Sequence, residues 1–348
     1  MIEFYLIMLY NKCNYIKYKE LLHKMGNTRI FDGEYLGLKT IEFECEGYTG
    51  AFTIDGANLI KLNYLPKNLN LMNISDDLDK LQKSRICGIP ILFFPNRVDG
   101  GTFTFEGKTY NFPINTDNNL HIHGFLDGCT KWNVVKKDVT GNFINITFEY
   151  LIDENNDIYK YFDFKVKITY ENIITSNGLF QRMTFENLSD KNMPFCFGYH
   201  TTFNIPFNDS PRESYVLNAN IKNRYDVDEK LLPTGKLLEL EQFEKDIAGE
   251  KGAFLYEHSL DNLYLADSDV SNVATITDTK TNTQLVYESD ATFKHWIFYN
   301  GDYNSSFLSI EPQTCATNAV NSTMESANLL CVKPGEEIGL STKIYVKN

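Results

Sequence analysis

From Lys39 onward the chain is a succession of short runs rich in Ile, Val, Phe, Tyr and Thr, broken by Asn, Asp and Gly, and this punctuation limits the fold more than any other feature. The runs 40–45, 48–54, 59–64, 143–150, 160–170 and 178–187 read as strands. Polar clusters such as Asp153-Glu154-Asn155-Asn156-Asp157 read as hairpin turns. Only 76–84 and 238–246 combine charge and leucine in a way that predicts helix, and both are short, so no helical layer is available to cover a parallel sheet. Many short strands imply a sandwich or a barrel. With no repeat of about 20 to 50 residues and no Pro-rich or Ser-rich linker, a single large antiparallel domain is expected. At 348 residues, 43% of them hydrophobic, the chain can bury the core that such a domain needs.

The N-terminal run 1–10 is apolar but short, carries Glu3 and is followed by Asn11, Lys12 and Lys17, so it resembles neither a signal peptide nor a membrane span. Met25 offers a second plausible start, with 1–24 upstream of it. Residues 1–35 are read as an N-terminal extension and 36–348 as one β-sandwich catalytic domain. Seven scattered cysteines without a CxxC spacing argue against a disulfide framework or a structural zinc site and fit a reducing cytoplasm. A formal charge of −13 and the lack of a Lys/Arg stripe exclude nucleic acid as the expected partner.

Segment 94–125 concentrates the polar chemistry. Thr102 to Phe105 and Thr109 to Phe112 alternate polar and aromatic residues about Glu106-Gly107-Lys108, which predicts a β-hairpin. Asn96-Arg97 and His121-Ile122-His123 flank it. An extended backbone turns both histidines to one face, and a loop leaves their directions open. Two histidines followed by Asp127 suggest a metal site, but the glycine spacing of such motifs is missing and Arg97 adds positive charge beside a cation, so no metal is expected. No GxSxG, GxGxxG or GxxxxGK[ST] occurs. His200, amid aromatic and small residues, suits a general acid or base, or a hydrogen-bonded core position. Glu311 follows an apolar strand and precedes Pro312, where the ladder is expected to stop; a catalytic carboxylate and a turn glutamate are the two readings. Asp261, in Leu260-Asp261-Asn262, is either a ligand-binding residue or a turn residue.

Asn96-Arg97, the Gly101 to Tyr110 pattern, His123-Gly124, His200-Thr-X-Phe-Asn and Glu311-Pro-Gln-Thr together resemble, in order and spacing, the aldose 1-epimerase (galactose mutarotase-like) family over about Thr40 to Lys347. The resemblance implies an all-β fold, a large antiparallel supersandwich, and an isomerase that interconverts the α and β anomers of a free hexose without a cofactor. Glu311 matches the family's general base and His200 its general acid. His123 matches a second histidine near the ring oxygen, and Arg97 and Asp261 match residues that hydrogen-bond sugar hydroxyls, with Asn96 beside them. Trp132, Trp296 and Tyr199 are candidates for packing against a pyranose or for the core. The chain departs from the family pattern at Phe125, after His123-Gly124, and at Cys315-Ala316-Thr317-Asn318. A hexose-6-phosphate epimerase on this fold needs further basic residues at the pocket rim. A non-catalytic sugar-binding protein needs no acid and base. The expected partner is a small aldose, with neither nucleic acid nor membrane. N-terminal sequencing of the native protein checks the extension, and a mature chain beginning at Met1 refutes it.

Overall fold

The computed structural model describes residues 28–267 and 271–347. Among these the strands form three large antiparallel sheets. The first is a five-stranded meander from Arg29–Tyr35 to Leu69–Asn70. Arg29–Tyr35 pairs along its length with Leu38–Cys45, so the domain boundary expected at residue 35 falls inside a hairpin. Residues 1–27, and with them the proposed second start, lie outside the described residues.

A nine-stranded sheet runs from Asn133–Thr140 through Val166–Thr175 and Gly178–Asn187 to Ala253–Phe254, and Glu337–Lys347 fills its middle, between Gly178–Asn187 and Thr283–Asp290. Its strands alternate as one solvated face requires: Val166–Thr175 buries every second residue. The expected strand 160–170 is out of phase with this one, because Asn156 caps a 3-10 turn at Asp157–Lys160 before the ladder starts.

The third sheet, of eight strands, has Asp261–Ala266, His295–Tyr299 and Phe307–Gln313 at its centre. Rings meet between this sheet and the nine-stranded one, Tyr170 with Tyr199 at 6.2 Å and Tyr287 with Trp296 at 6.2 Å, so the core is a sandwich interface. Unlike the solvated strands, His295–Tyr299 and Phe307–Gln313 are buried on nearly every residue. One face carries Leu308, Ile310, Trp296 and Phe298 into the core, and period two leaves Glu311, Gln313, Ile297 and Tyr299 on the other.

Helix is confined, among the described residues, to short pieces. Leu78–Lys83 is capped by Asp77, whose side chain accepts from the Lys80 amide at 2.9 Å. Gln242–Ala248 starts later than the expected 238–246, because Leu238 and Glu239 belong to strand Pro233–Glu239 and a Glu241/Glu244 capping box sets the helix start. The predicted hairpin is present as Thr102–Phe105 against Lys108–Asn111. Its turn is only Glu106-Gly107, both left-handed, and Lys108 already pairs with Phe105.

Gly124 explains the His-Gly pair. It adopts φ +69°, and a Cβ there would lie 2.1 Å from the carbonyl carbon of Phe93. Gly124→Ala is expected to lower stability by about 3 kcal/mol or more, since neither backbone can yield without moving the buried Phe93; a thermal unfolding midpoint within a degree or two of wild type would contradict this packing.

Candidate active site

Glu311 and His200 meet because a ladder changes partner. Phe307–Gln313 pairs with Thr201–Asn204 up to Thr201 opposite Ile310, then with Gly198 opposite Gln313. His200 sits in the interruption, its amide donating to the Pro90 carbonyl at 3.0 Å. Pro312 does not end the strand, as expected from sequence; it falls at this break, where a missing N–H breaks no pairing on that side. His200 Nε2 thereby comes 3.1 Å from Glu311 Oε1, with both side chains buried. Gln313 donates to the other carboxylate oxygen, Oε2, at 3.2 Å.

These residues open on a cavity of about 380 Å³, lined also by Asn96, Arg97, His123, Asp261, Tyr299, Ile297, Ile122 and the stretch Lys83, Arg85 and Ile86. Asp261 and Tyr299 are cross-strand partners, as are Ile297 and Glu311. Arg97 begins a strand paired with Leu120–Ile122, and the His123 amide donates to the Asn96 carbonyl at 2.8 Å. The ribbon at the base of the predicted hairpin thus carries Asn96, Arg97 and His123 to the same cavity. Arg97 Nη1 donates to Asn96 Oδ1 at 2.9 Å. A larger groove, about 910 Å³, runs along 32–41 and 134–137, but it gathers exposed Asp32, Lys136 and Lys137 and no histidine.

All six residues expected at a site therefore line one cavity. His121 does not. The His121-X-His123 run leaves the strand after Ile122, so the two rings diverge: His121 Nδ1 lies 2.7 Å from the Pro113 carbonyl among Phe112 and Phe125, while His123, left-handed at φ 63°, faces His200 with ring centroids 5.3 Å apart. Trp132, Trp296 and Tyr199 are buried in the core and absent from the lining; alternation sends Tyr299 to the cavity instead. Phe125 stacks on Tyr161, away from the lining residues. In the divergent segment after Glu311-Pro-Gln-Thr, the Asn318 amide donates to the Arg97 carbonyl at 2.9 Å and its side chain accepts from the Asp99 amide, so that loop braces the Arg97 strand. Lys83, Arg85 and Tyr299 are lining residues that the sequence motifs did not assign to a site. Only Tyr299 had a usable signal, its phase relative to Trp296.

Burial dominates the electrostatics. Desolvation raises the Glu311 carboxyl well above its usual range, with Asp261 adding to the rise and Gln313 and Arg97 opposing it. Desolvation lowers His200 to about 3, helped by the positive charge of Arg85. His123 is lowered well below its usual value by burial, then by His200 and Arg85, and its buried Nδ1 has no protein partner among the described residues. Asp261 remains exposed at the cavity; surrounding protein raises its carboxyl and Arg97 opposes the rise. A carboxyl raised and an imidazole lowered while in contact both favour the neutral pair, with the proton on Glu311.

A model of the aldose 1-epimerase family matches residues 39–345. A galactose mutarotase-like protein from Clostridium acetobutylicum has a similar structure, with a TM-score of 0.87 at 30% identity, covering 92% of this chain and 99% of that one. The galactose 1-epimerase of Lactobacillus acidophilus NCFM shares the fold at 16% identity, with a TM-score of 0.69 and coverage of 92% and 98%. The uncharacterized protein YihR of Escherichia coli (strain K12) is 22% identical over 311 residues, 88% of this chain and 93% of that protein.

The raised Glu311 carboxyl has a signed consequence for stability. Below its unfolded pKa the group is neutral in both states; as pH rises from there towards the folded pKa, ionisation is favoured only in the unfolded chain and stability falls. Glu311→Gln removes that penalty while keeping an acceptor for His200. Its advantage over wild type in denaturant unfolding is expected to widen as pH rises above the ordinary glutamate range, by up to about 1.4 kcal/mol per pH unit; a difference that stays constant with pH would show that Glu311 titrates as in the unfolded chain.

Proposed function

Because the chain belongs to the aldose 1-epimerase family, we propose that it catalyses anomer interconversion of an aldohexose at the cavity built around His200 and Glu311. The observation that carries this reading is the 3.1 Å contact between these two side chains, buried, within reach of one small molecule. A protein that only bound a sugar would have no use for so costly a pair.

The reaction balances with two proton transfers. Glu311, as the carboxylate, takes the proton of the C1 hydroxyl; the C1–O bond to the ring oxygen breaks as a carbonyl forms at C1; His200, as imidazolium, protonates the ring oxygen. Rotation about C1–C2 and closure on the other carbonyl face reverse the transfers and give the second anomer. Throughout, the enzyme pair holds one proton. Before ring opening the proton is on His200, and after it on Glu311. Desolvation favours the second, neutral arrangement, whereas Gln313 and Arg97 stabilise the carboxylate of the first. Opposing influences of this kind bring the two proton positions closer in free energy, which suits a reaction that must run both ways.

Arg97, Asn96, Asp261 and His123 have the donors and acceptors to hold sugar hydroxyls, the unpartnered His123 Nδ1 among them. Tyr299 offers a ring edge and a hydroxyl on the same wall.

Polarimetry of freshly dissolved α-D-glucose and α-D-galactose tests the proposal. Wild type is expected to accelerate mutarotation of at least one, and Glu311→Gln and His200→Asn each to lower kcat by roughly 10²- to 10⁴-fold, the usual contribution of one placed acid or base. If neither sugar, nor any other aldose, mutarotates faster with the wild type, the assignment fails.

A further inference from the structure

His200 has two ring nitrogens, and they face different partners. Nε2 lies 3.1 Å from Glu311 Oε1, whereas Nδ1 lies 3.5 Å from Thr202 Oγ1. Which nitrogen carries the hydrogen of the neutral ring decides whether His200 can exchange a proton with Glu311 and a substrate. Thr202 is placed to decide it. Its amide donates to the Gly88 carbonyl at 3.0 Å, and it pairs across the ladder with Ser309, so period two holds its side chain on the same face as His200. Thr202 and Ser309 are fully buried, so water is not at hand to replace a missing partner.

The hydrogen bonds of this cluster fix where the hydrogens go. Thr202 Oγ1 has one hydrogen to donate and two lone pairs with which to accept. Its neighbours are the His200 carbonyl at 3.3 Å, Ser309 Oγ at 2.8 Å and His200 Nδ1 at 3.5 Å. A carbonyl oxygen only accepts, so the contact with it uses the single Thr202 hydrogen. The two lone pairs then accept, one from the Ser309 hydroxyl and the other from Nδ1–H. Each polar atom of the cluster has a partner in this arrangement. The 3.5 Å separation is long for a hydrogen bond, as contacts of a catalytic histidine often are before a substrate is bound.

We infer that Thr202 is a positioning residue for His200: its hydroxyl accepts from Nδ1–H, fixes that tautomer and leaves Nε2 as the nitrogen that gives and recovers the proton. The inference rests on the epimerase reading for the direction of that proton. In the reaction Nε2 passes its proton to the ring oxygen and takes it back on closure, while the Nδ1 hydrogen stays in place. A hydroxyl differs here from the carboxylate that orients the histidine of a serine protease. It holds the ring without adding negative charge, so the imidazolium keeps its acidity towards a weakly basic ring oxygen.

Nuclear magnetic resonance of the full chain, with nitrogen-labelled histidine, tests this, the His200 signals being those lost in His200→Asn, with polarimetry alongside. Wild type is expected to show a hydrogen on Nδ1 of His200, and an Nδ1 without one overturns the inference. Thr202→Val keeps the side-chain shape and removes the acceptor. It should move the ring towards the Nε2–H tautomer and lower kcat by roughly 3- to 10-fold with KM nearly unchanged, the range for one neutral hydrogen bond. Thr202→Ser should restore both. If Thr202 only holds the register, the tautomer and kcat of Thr202→Val stay at wild-type values, or Thr202→Ser loses as much activity as Thr202→Val; either result overturns the inference. The wild-type spectrum decides even where a variant is unstable. The two readings fail separately: a wild type that holds Nδ1–H but accelerates no aldose rejects only the reaction, and faster mutarotation with a bare Nδ1 rejects only the role of Thr202.

Discussion

The contact between Glu311 and His200 is the constraint around which the cavity is arranged. Taking a carboxyl and an imidazole out of water is unfavourable, and the contact persists because the sheet geometry leaves neither group another place. The change of neighbours leaves two positions on each strand without a partner across this ladder, Tyr199 and His200 on one and Glu311 and Pro312 on the other. His200 and Glu311 both fall in this gap, and Pro312, which cannot donate to the ladder, sits where no donation is required on that side. Thr202, two residues beyond His200, shares a hydrogen bond with Ser309 at 2.8 Å and fixes the register next to the break. The backbone is thus held on both sides of the pair before any ligand arrives.

A second layer completes this preorganisation. Gln313 shares the Glu311 face and restrains its carboxylate, Asn318 ties a downstream loop to the Arg97 strand, and Gly124 lets His123 approach His200 without a clash at Phe93. Each acts on the orientation of a cavity residue through one short contact. The sandwich core beneath is aromatic and buried, and the polar face above it is enclosed by short ribbons and loops, so the cavity floor is built from long strands and its rim from shorter elements.

Much of this was legible in the sequence because β structure is written in period two and in turn residues. The hairpin about Glu106-Gly107, the antiparallel class and most strands followed from alternation alone. Candidate residues Asn96, Arg97, His123, His200, Asp261 and Glu311 were legible as motifs, and their meeting at one cavity was not, since strand order is a long-range property. The errors are local and physical. Strand 160–170 is displaced because Asn156 starts a 3-10 turn, and helix 238–246 because capping outweighs composition, whereas Trp296 takes the core reading of its two because adjacent strand residues face opposite ways. Arg85 had no sequence signal: it follows a six-residue helix in an irregular loop, and only tertiary structure brings it to the histidines.

The cavity residues come from strands and loops spread over more than two hundred positions, from Lys83 to Glu311, and the last strand, Glu337–Lys347, closes the middle of the nine-stranded sheet behind them. Contacts of this sequence separation form late and slowly in folding, because each requires closing a long loop before it is rewarded. The Glu311–His200 contact joins residues more than a hundred positions apart, so it belongs to this long-range class. The cavity therefore depends on strand order across the whole sandwich rather than on any one local segment.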